Sequence, residues 1–537
     1  MNNAKKIVYD EEARVTLKKG VDAVANAVKV TIGPKGRNVV YDNGFGGPNI
    51  SNDGVSIARE IILEEPLENM GANIVKEVAQ KTNDMAGDGT TTSVILTQAI
   101  FSEGIKRIAV GINSIGIKNG IDKASKIAID YLKSIAKKIK TQEETTQVAT
   151  ISAESEEIGK LLSDTIFKLG TDAVLSVEDS NTVGITSDIS QGMEFENGYI
   201  SPYMVTNPTR LEAECKDVSI LVTDHKIGIV SEMVPFLEAF MKTGKKELVI
   251  IADDIVGEAL QTFIVNKLRG AITVLGIKSP GFGERKKDYL EDIAAVTGAT
   301  FISNEVGLTL DKIGLEHLGL ADRVVSTKDK TTIIGGKGDK KVVTDRIASA
   351  RKDLENLESK HDKLKVAERI AKLTDGVAII KVGAATETET NYLKLKVEDA
   401  INATKAALEE GVVAGGGSSL ILASKFILEE KLKGDYTEDE LVGFDILAKA
   451  MEVPLQNIAV NCGKGDGSIV VSRVKELKDG GGYNAYDDIY LEDIVKEGIA
   501  DPVKVTRSAI ENASSAGGTL LTMGCAMAQI KEVKPAV

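Results

Sequence analysis

Apolar residues recur every three or four positions through both ends of the chain. That spacing places them on one face of a helix, and it runs through residues 11–30 and most of residues 65–140. A later helix is predicted to open at Val397 and end at Glu410, and the residues after it are again helix-rich. Both ends of the chain are therefore predicted to be largely helical, with an amphipathic helical hairpin at residues 340–373.

The middle of the chain has a different pattern. Short apolar runs at residues 220–222, 248–251, 272–275 and 300–302 are typical of buried strands, and helical segments lie between them. This alternation predicts a parallel sheet covered by helices. No GxGxxG fingerprint follows the first strand, so the pattern does not indicate a dinucleotide site.

Length and composition bound the class of protein. A chain of 537 residues with 42% hydrophobic and 27% charged residues is typical of a soluble globular protein, and its length predicts about three domains. The net charge of −14 argues against a nucleic-acid partner, because no basic stretch offsets it. The three cysteines are far apart, which favours a reducing compartment and argues against a structural zinc site. The three histidines are scattered, so no Ser-His-Asp or Cys-His pattern can be recognised. No apolar run approaches the length of a membrane span, and the first residues lack the features of a signal or transit peptide.

The clearest candidate for chemistry is the stretch 87–92, Gly-Asp-Gly-Thr-Thr-Thr. It is predicted to be a loop that opens a helix, where backbone N–H groups are free and the helix dipole favours an anion. Glycine lets a phosphate approach the backbone, the threonine hydroxyls can donate to its oxygens, and Asp88 could hold the accompanying Mg²⁺. The alternative is a plain N-cap, since Asp and Thr cap helices without any ligand.

Other features offer the same chemistry. Residues 31–36, Thr-Ile-Gly-Pro-Lys-Gly, are a second candidate phosphate loop, with a simple turn as the alternative. Glycines at 415–417 would admit a ligand against bare backbone, or would simply end a helix. Asp53 opens a helix and could be an N-cap or an acid facing a metal or water. Together these features favour a nucleotide domain built from both ends of the chain, in which Asp88 binds Mg²⁺ and Asp399 orients the attacking water.

Two helical segments of the middle region carry more apolar surface than one buried stripe needs. The first contains Met233, Val234, Phe236, Leu237 and Phe240, and the second contains Leu260, Phe263, Ile264, Val265 and Leu268. Both segments could simply face the core. Alternatively, they could form an exposed groove that binds partners weakly and promiscuously.

Eight stretches, taken in order over nearly the whole chain, resemble group I chaperonins of the GroEL type. They are 31–38 TIGPKGRN, 53–60 DGVSIARE, 86–92 AGDGTTT, 198–203 GYISPY, 280–283 PGFG, 382–387 VGAATE, 411–417 GVVAGGG and 501–507 DPVKVTR. The resemblance implies a multidomain α/β fold with an all-α equatorial ATPase domain, a small α/β intermediate domain and an inserted α/β apical domain. The implied bounds are 1–135 and 411–537 for the equatorial, 136–190 and 376–410 for the intermediate, and 191–375 for the apical domain.

The resemblance also implies an activity. The protein would be an ATP-dependent chaperone that captures unfolded polypeptides and encloses them in a ring cavity, with ATP and Mg²⁺ as cofactors and K⁺ as a further candidate ion. It would form a homo-oligomer of two stacked seven-subunit rings, closed by a GroES-type co-chaperonin lid, without nucleic-acid or membrane partners. A bacterial cytoplasm fits this class, and so does an organellar matrix after processing.

Individual roles follow from the resemblance by matching position. ATP binding would fall to Thr31, Ile32, Gly33, Pro34, Asn52, Asp88, Gly89, Thr90, Thr91, Thr92, Gly416, Asn484, Ala485, Tyr486 and Asp501. Asp88 would ligate Mg²⁺, and Asp399, aided by Asp53, would promote hydrolysis. The apical strip for unfolded chains and the co-chaperonin would be Tyr199, Tyr203, Met204, Val234, Leu237, Leu260, Ile264 and Val265.

The chain departs from the family pattern in four places. Asn52 stands where a phosphate-contacting Lys is usual, which would remove one charge-assisted contact. Tyr486 stands where a small residue is usual beside the base, and Asn197 replaces a usual Arg near the hinge. The last residues, 531–537, lack the Gly-Met-rich tail of many members.

Two rival classes are compatible with the same motifs. A soluble metabolic kinase or ligase would use the Mg-ATP site but would need a polar small-molecule pocket, and none is evident in the middle region. A non-hydrolysing ring scaffold or adhesive protein is favoured if Asn52 cripples the site. An ATPase assay separates these classes.

Overall fold

The structure, a computed structural model, describes residues 4–42, 49–153, 155–170, 174–180, 182–190, 192–208, 210–281, 283–303, 307–356, 363, 366, 369–370, 372–373, 377–478 and 480–529. The second half of the predicted 340–373 hairpin falls largely outside these residues, and the tail 531–537 falls wholly outside them. The chain divides into two compact units: unit 1 is Met1–Asp164, Asp179–Gly184 and Val382–Val537, and unit 2 is Thr165–Glu178 and Ile185–Lys381. The division into three domains stays a prediction.

Helices account for most of unit 1. In chain order, the helices of both units are α1 (Asp10–Val28), α2 (Gly54–Glu60), α3 (Pro66–Ala86), α4 (Thr90–Ala109), α5 (Ser114–Ser134), α6 (Gln142–Ala153), α7 (Glu156–Leu169), α8 (Val234–Lys242), α9 (Gly257–Leu268), α10 (Glu284–Thr297), α11 (Lys340–Asn356), α12 (Glu387–Glu410), α13 (Ser418–Lys431), α14 (Glu438–Ala450), α15 (Val453–Asn461), α16 (Ser468–Glu476) and α17 (Val503–Leu521).

Strands are short in unit 1 and longer in unit 2. They are β1 (Lys5–Tyr9), β2 (Val39–Tyr41), β3 (Asn49–Ser51), β4 (Val174–Asp179), β5 (Gly184–Ser190), β6 (Gly192–Glu196), β7 (Ala213–Thr223), β8 (Lys226–Ile227), β9 (Glu247–Ala252), β10 (Asp254–Ile255), β11 (Thr273–Lys278), β12 (Phe301–Ile302), β13 (Gly319–Ser326), β14 (Lys330–Gly336), β15 (Val377–Gly383), β16 (Val412–Ala414), β17 (Gly482–Asn484), β18 (Ile489–Leu491), β19 (Ala500–Pro502) and β20 (Cys525–Gln529).

One aliphatic core holds unit 1 together. Buried side chains from α1, α3, α4, α5, α13, α14 and α17 form a single cluster, so the first and last parts of the chain share one interior. The pairs β1–β20 and β16–β19 also join sequence-distant segments, and β2–β3 and β17–β18 are local hairpins. The helices predicted for residues 11–30 and 65–140 are confirmed by α1 and by α3 to α5. The burial of their apolar faces explains the spacing seen in the sequence.

The predicted start of α12 at Val397 is wrong. The helix begins earlier, at Glu387, after an N-cap at Thr386 whose hydroxyl accepts a 3.2 Å hydrogen bond from the Glu389 N–H. The first turns of α12 carry few buried side chains, so hydrophobic spacing alone placed the start too late. The Thr-x-x-Glu pattern at residues 386–389 is the sequence signal that would have found it.

Unit 2 is organised around a seven-stranded sheet. Strands β11, β9, β7 and β12 pair in parallel, as the alternation of strands and helices predicts. Strands β13, β14 and β6 continue the sheet in antiparallel fashion, which the pattern did not predict. Glycines and charged residues interrupt the apolar runs of β13 and β14, so these strands gave a weak signal. The prediction of a parallel sheet is therefore confirmed for one half of it.

Helices α8, α9 and α10 cover this sheet. Side chains of α8 and α9 share a buried cluster with β9 and β11, and side chains of α10 join a second cluster with β7 and β13. A separate three-stranded sheet has the order β4-β15-β5. Within the part of the chain that the structure describes, no helix combines the length and apolar character needed to cross a membrane.

Candidate functional site

The loop between α3 and α4 contains Gly87, Asp88 and Gly89. Both glycines have positive φ angles, 68° and 81°, a conformation that glycine adopts without strain. Asp88 accepts a 2.5 Å hydrogen bond from the Gly89 N–H. Among the described residues no side chain caps α4, so the N-cap alternative does not apply to this helix. Its first N–H groups are therefore available to a ligand rather than to a capping oxygen.

Asp53 is the N-cap of α2, because its carboxylate accepts hydrogen bonds from the Ser56 N–H at 2.9 Å and from Ser56 Oγ at 2.6 Å.

Two threonine hydroxyls meet at the start of α4. A Cβ on Gly54 would lie 2.5 Å from Thr91 Oγ1, so only glycine fits there. Thr91 Oγ1 is in turn 3.4 Å from Thr31 Oγ1. Hydroxyls from two separate predicted loops thus converge where the α4 dipole favours an anion.

Asp399 lies on α12, which packs against the loop after α3. A Cβ on Gly87 would meet the side chain of Asn402, one helical turn from Asp399. The pKa of Asp399 is raised well above its usual range, first by burial and then by the negative charges of Asp53 and Asp88. The predicted catalytic acids and the predicted metal ligand are therefore close enough to repel one another.

Asp501 brings a fourth carboxyl to this cluster. Burial, followed by the negative charge of Asp88, raises the pKa of Asp501 to about 7, although the N–H groups of Gly417 and Gly416 donate to its carboxylate. The pKa of Asp88 is also raised, mainly by burial, despite the hydrogen bond from Gly89. Half-buried carboxyls that raise each other's pKa values form an environment that a divalent cation would stabilise.

The donor set fits a magnesium ion that arrives with a nucleotide. In the described ranges, no group of three or more His, Cys, Asp or Glu side chains is arranged to hold a metal ion by itself. Mg²⁺ is usually bound by one or two carboxylates and completes its shell with phosphate oxygens and water. Asp88 beside the α4 N-terminus matches that requirement better than it matches a permanently bound metal.

The segment after Gly482 lies beside the predicted glycine loop at residues 415–417. A Cβ on Gly416 would be 3.7 Å from the Tyr483 carbonyl oxygen. Asn484 Oδ1 accepts a 2.9 Å hydrogen bond from the Tyr486 N–H, which fixes a tight turn. Ala485 in that turn is buried, whereas Tyr486 is 70% exposed. The three predicted ATP-binding residues at 484–486 therefore lie in a turn that directly follows the residue beside Gly416.

The remaining predicted residues lie in or beside the same loops. Residues 31–36 form the predicted turn, in which Gly33 has a φ of 86° and its carbonyl accepts a 2.8 Å hydrogen bond from the Gly36 N–H. The other predicted residues lie on these loops and at the start of α4. Thr90 is buried, Pro34 is exposed, and the half-buried ones are Ile32, Asn52 and Thr92.

Sequence reasoning missed Asn461. Its Nδ2 donates to the carbonyl oxygens of Ile32 at 2.9 Å, Lys29 at 3.2 Å and Val30 at 3.4 Å. A lone Asn at the end of a helix carries no local signal for such a role, and its partners lie at the other end of the chain. Only the folded chain brings them together.

Helices α8 and α9 of unit 2 carry apolar side chains both in the core and at the surface. Phe236, Phe240 and Phe263 are buried in the core, as one alternative predicts. Val234 is 39% exposed and Val265 is 42% exposed. The half-buried side chains between them are Leu237, Leu260 and Ile264. Each helix therefore contributes to the core and still presents an apolar strip at the surface.

The segment around Tyr203 is attached to α9. Lys267 Nζ donates to the carbonyl oxygens of Tyr203 at 3.1 Å and Val205 at 2.7 Å. Tyr203 is 71% exposed and Tyr199 is half-buried. Met204 is only 2% exposed, and its sulfur accepts a hydrogen bond from the Gly276 N–H. Met204 therefore supports this surface from below and does not line it in this conformation.

Comparison with known proteins identifies relatives of this architecture. A model of the TCP-1/cpn60 chaperonin family matches residues 24–531. The fold is similar to the crystal structure of the chaperonin gp146 from the bacteriophage EL 2 (Pseudomonas aeruginosa), determined in the presence of ATP-BeFx. The two chains are 19% identical, the match covers 98% of this chain and 99% of that chain, and the TM-score is 0.68. The predicted GroEL-like multidomain fold class is confirmed by this likeness.

Proposed function

The chain belongs to the TCP-1/cpn60 chaperonin family, and on that premise we propose that it is an ATP-driven folding chaperone. It would capture non-native polypeptides on the apolar strip of unit 2 and enclose them in a ring cavity, and it would obtain the energy for this cycle from Mg-ATP in unit 1. The observation that carries the proposal is the convergence of Asp53, Asp88, Asp399 and Asp501 around the open N-terminus of α4. A cluster of carboxyls beside an anion site is what Mg-ATP requires.

We assign the phosphates to the start of α4. The N–H groups of its first turn and the hydroxyl of Thr91 would bind phosphate oxygens, and Gly54 leaves the space that they need. The Thr31 hydroxyl donates to the Val28 carbonyl oxygen at 2.9 Å, so Thr31 would take part through its backbone and its contact with Thr91. Asp88 would hold Mg²⁺, which supplies charge neutralisation and polarises the phosphate that is transferred. The structure of gp146 with ATP-BeFx supports nucleotide binding by this fold. A bound K⁺ would be a further cation.

We assign the hydrolytic role to Asp399. Its raised pKa indicates a carboxyl that gains from accepting a proton or a water hydrogen bond, as a group that orients an attacking water must. Asp53 is held by its N-cap bonds to Ser56, so it would act by its charge and by positioning. The adenine base of ATP would lie near Ala485 and Tyr486, beside the glycine loop at residues 415–417.

We assign polypeptide capture to the strip formed by α8, α9 and Tyr203. Burying one Val or Leu side chain contributes about 1.5–3 kcal/mol, so a few such contacts give affinity without specificity. The same strip would bind a GroES-type lid, and ATP would change its accessibility by favouring one conformation of the ring. Two stacked seven-subunit rings, the three-domain division and a cytoplasmic location belong to the same proposal.

The Asp399→Ala variant tests the ATPase. We expect it to bind Mg-ATP with near-native affinity and to lose nearly all steady-state hydrolysis, because the phosphate loops are untouched and the water is no longer oriented. Glu409→Ala is the matched control, since Glu409 lies on the same helix and pairs with Lys504 at the surface. Full turnover by Asp399→Ala would refute the assigned role. A wild-type chain that binds ATP without hydrolysing it would instead favour a ring scaffold.

The Leu237→Ser and Val234→Ser variants test capture. Each should weaken binding of a chemically denatured polypeptide about tenfold, with ATP hydrolysis retained, because apolar contact is lost in unit 2 only. Leu320→Ser is the control, since Leu320 lies on β13 and is 42% exposed. Equal capture by all three variants would show that the strip is not the binding surface. A turnover rate that depends on a small acceptor molecule would point to a metabolic kinase.

A further inference from the structure

Helix α15 lies directly beneath two loops of the nucleotide site. A Cβ on Gly417 would lie 3.1 Å from Leu455 Cβ, so the glycine loop rests on this helix. One turn later, Ile458 Cγ2 would lie 3.0 Å from a Cβ on Gly33, so the loop at residues 31–36 rests on it as well. Both glycines have positive φ angles, 80° and 86°, and a Cβ at either position would press on α15. The two loops therefore share one support.

The end of the same helix binds loop backbone through hydrogen bonds. The Asn461 side-chain amide donates to three carbonyl oxygens, of which the Ile32 oxygen at 2.9 Å is the nearest. The next residue, Cys462, donates from Sγ to the Ala485 carbonyl oxygen at 3.4 Å. Three separate predicted nucleotide loops are thus attached to one stretch of about two helical turns.

Peptide geometry gives the Asn461 contact a direction. In a trans peptide the C=O and N–H groups point in opposite directions. Because the Ile32 carbonyl points at Asn461, the N–H of Gly33 in the same peptide points away from α15. Asn461 thereby fixes which side of the loop presents its donor, and Thr31, whose hydroxyl reaches Thr91, lies in the same turn.

We propose that Asn461 is a positioning residue for the nucleotide: it holds the backbone of residues 29–32 so that the Gly33 N–H faces the phosphates. This inference rests on the proposed ATP site and deepens it. Asn461 does not touch the nucleotide; it acts through the loop. The Val30 carbonyl also accepts a 2.8 Å hydrogen bond from the Arg37 N–H, so the loss of Asn461 falls mainly on the Ile32 carbonyl. The peptide between Ile32 and Gly33 then samples other orientations in the nucleotide-free protein.

The test compares Asn461→Leu with Asn457→Leu in the full-length protein. Asn457 lies one turn earlier on α15 and donates to the Val453 carbonyl at 2.8 Å, so its amide binds its own helix. We expect Asn461→Leu to raise the half-saturating concentration of Mg-ATP about tenfold, with turnover at saturation within about twofold of wild type. Asn457→Leu should leave both values unchanged. Asn461→Ser, which keeps one donor, should give an intermediate half-saturating concentration.

The outcomes separate this inference from the proposed function. If the wild type binds no Mg-ATP in a calorimetric titration, the proposed ATP site itself is wrong. If the wild type binds it and Asn461→Leu binds equally well, the positioning role alone is refuted. Equal losses in Asn461→Leu and Asn457→Leu, together with equal drops in melting temperature, would reduce the effect to helix stability and would also overturn the inference.

Discussion

The pKa of Asp501 leads to a sharp prediction about the nucleotide-free protein. Its carboxyl is held at a pKa of about 7 in the fold against 3.8 for an ordinary Asp. Between these two values the folded chain binds more protons than the unfolded chain, so stability falls as the pH rises. Asp501→Asn removes the charge and keeps an oxygen that can accept from Gly416 and Gly417. The substitution should therefore stabilise the protein in the absence of Mg-ATP.

The magnitude follows from the two pKa values. The charged carboxyl destabilises the fold by about 4 kcal/mol at pH 8, where the folded group is mostly ionised. At pH 5 the folded group is neutral and only the unfolded group ionises, which leaves about 2 kcal/mol. The stabilisation by Asp501→Asn should therefore grow by about 2–3 kcal/mol from pH 5 to pH 8.

Urea unfolding with a chelator present measures this difference. The chain contains no Trp, so helix content by circular dichroism is the signal of choice. Asp488→Asn is the control with opposite sign, because Lys464 and Tyr483 hydrogen bonds lower the pKa of Asp488. Asp488→Asn should not stabilise the chain at either pH. A loss of stability in Asp501→Asn at pH 8, or a gain of equal size at both pH values, would refute the reasoning.

Two further predictions concern stability outside the nucleotide site. Asp292→Asn should destabilise unit 2 by about 3–5 kcal/mol in denaturant unfolding, because Asp292 is fully buried and pairs with Arg346 at 2.7 Å and with Arg369. Asp288 is a half-exposed partner of the same arginines, so Asp288→Asn should destabilise the unit far less. Equal losses of stability in the two variants would contradict the argument. Thr386→Ala should cost about 1 kcal/mol and speed amide exchange in the first turn of α12, while unchanged exchange there would show that the cap is dispensable.

The sequence predicted the elements better than their arrangement. The helices of the two ends follow from spacing, because burial of one face imposes a period on the chain. The parallel strands β7, β9 and β11 follow from short continuous apolar runs, because both faces of these strands are buried. The start of α12 was placed too late, because its first turns are capped by Thr386 and carry few buried side chains. Strands β13 and β14 were missed, since glycines and charges break their apolar runs.

The sequence by itself determined the loop types, the candidate acids and the family resemblance. Glycine pairs, threonine hydroxyls and carboxylates are local features, and their chemistry does not depend on distant residues. Their convergence does, because residues 399 and 501 approach residue 88 only when α12 and α17 pack against the end of α3.

Only the tertiary structure decided which alternatives hold. It made Asp53 an N-cap and left α4 without a side-chain cap in the described chain, it buried Met204 while exposing Tyr203, and it placed Asn461 under a loop some 430 positions away. The physical reason is the same in each case. Burial, hydrogen-bond partners and pKa shifts are set by neighbours in space, and spacing along the chain does not record those neighbours.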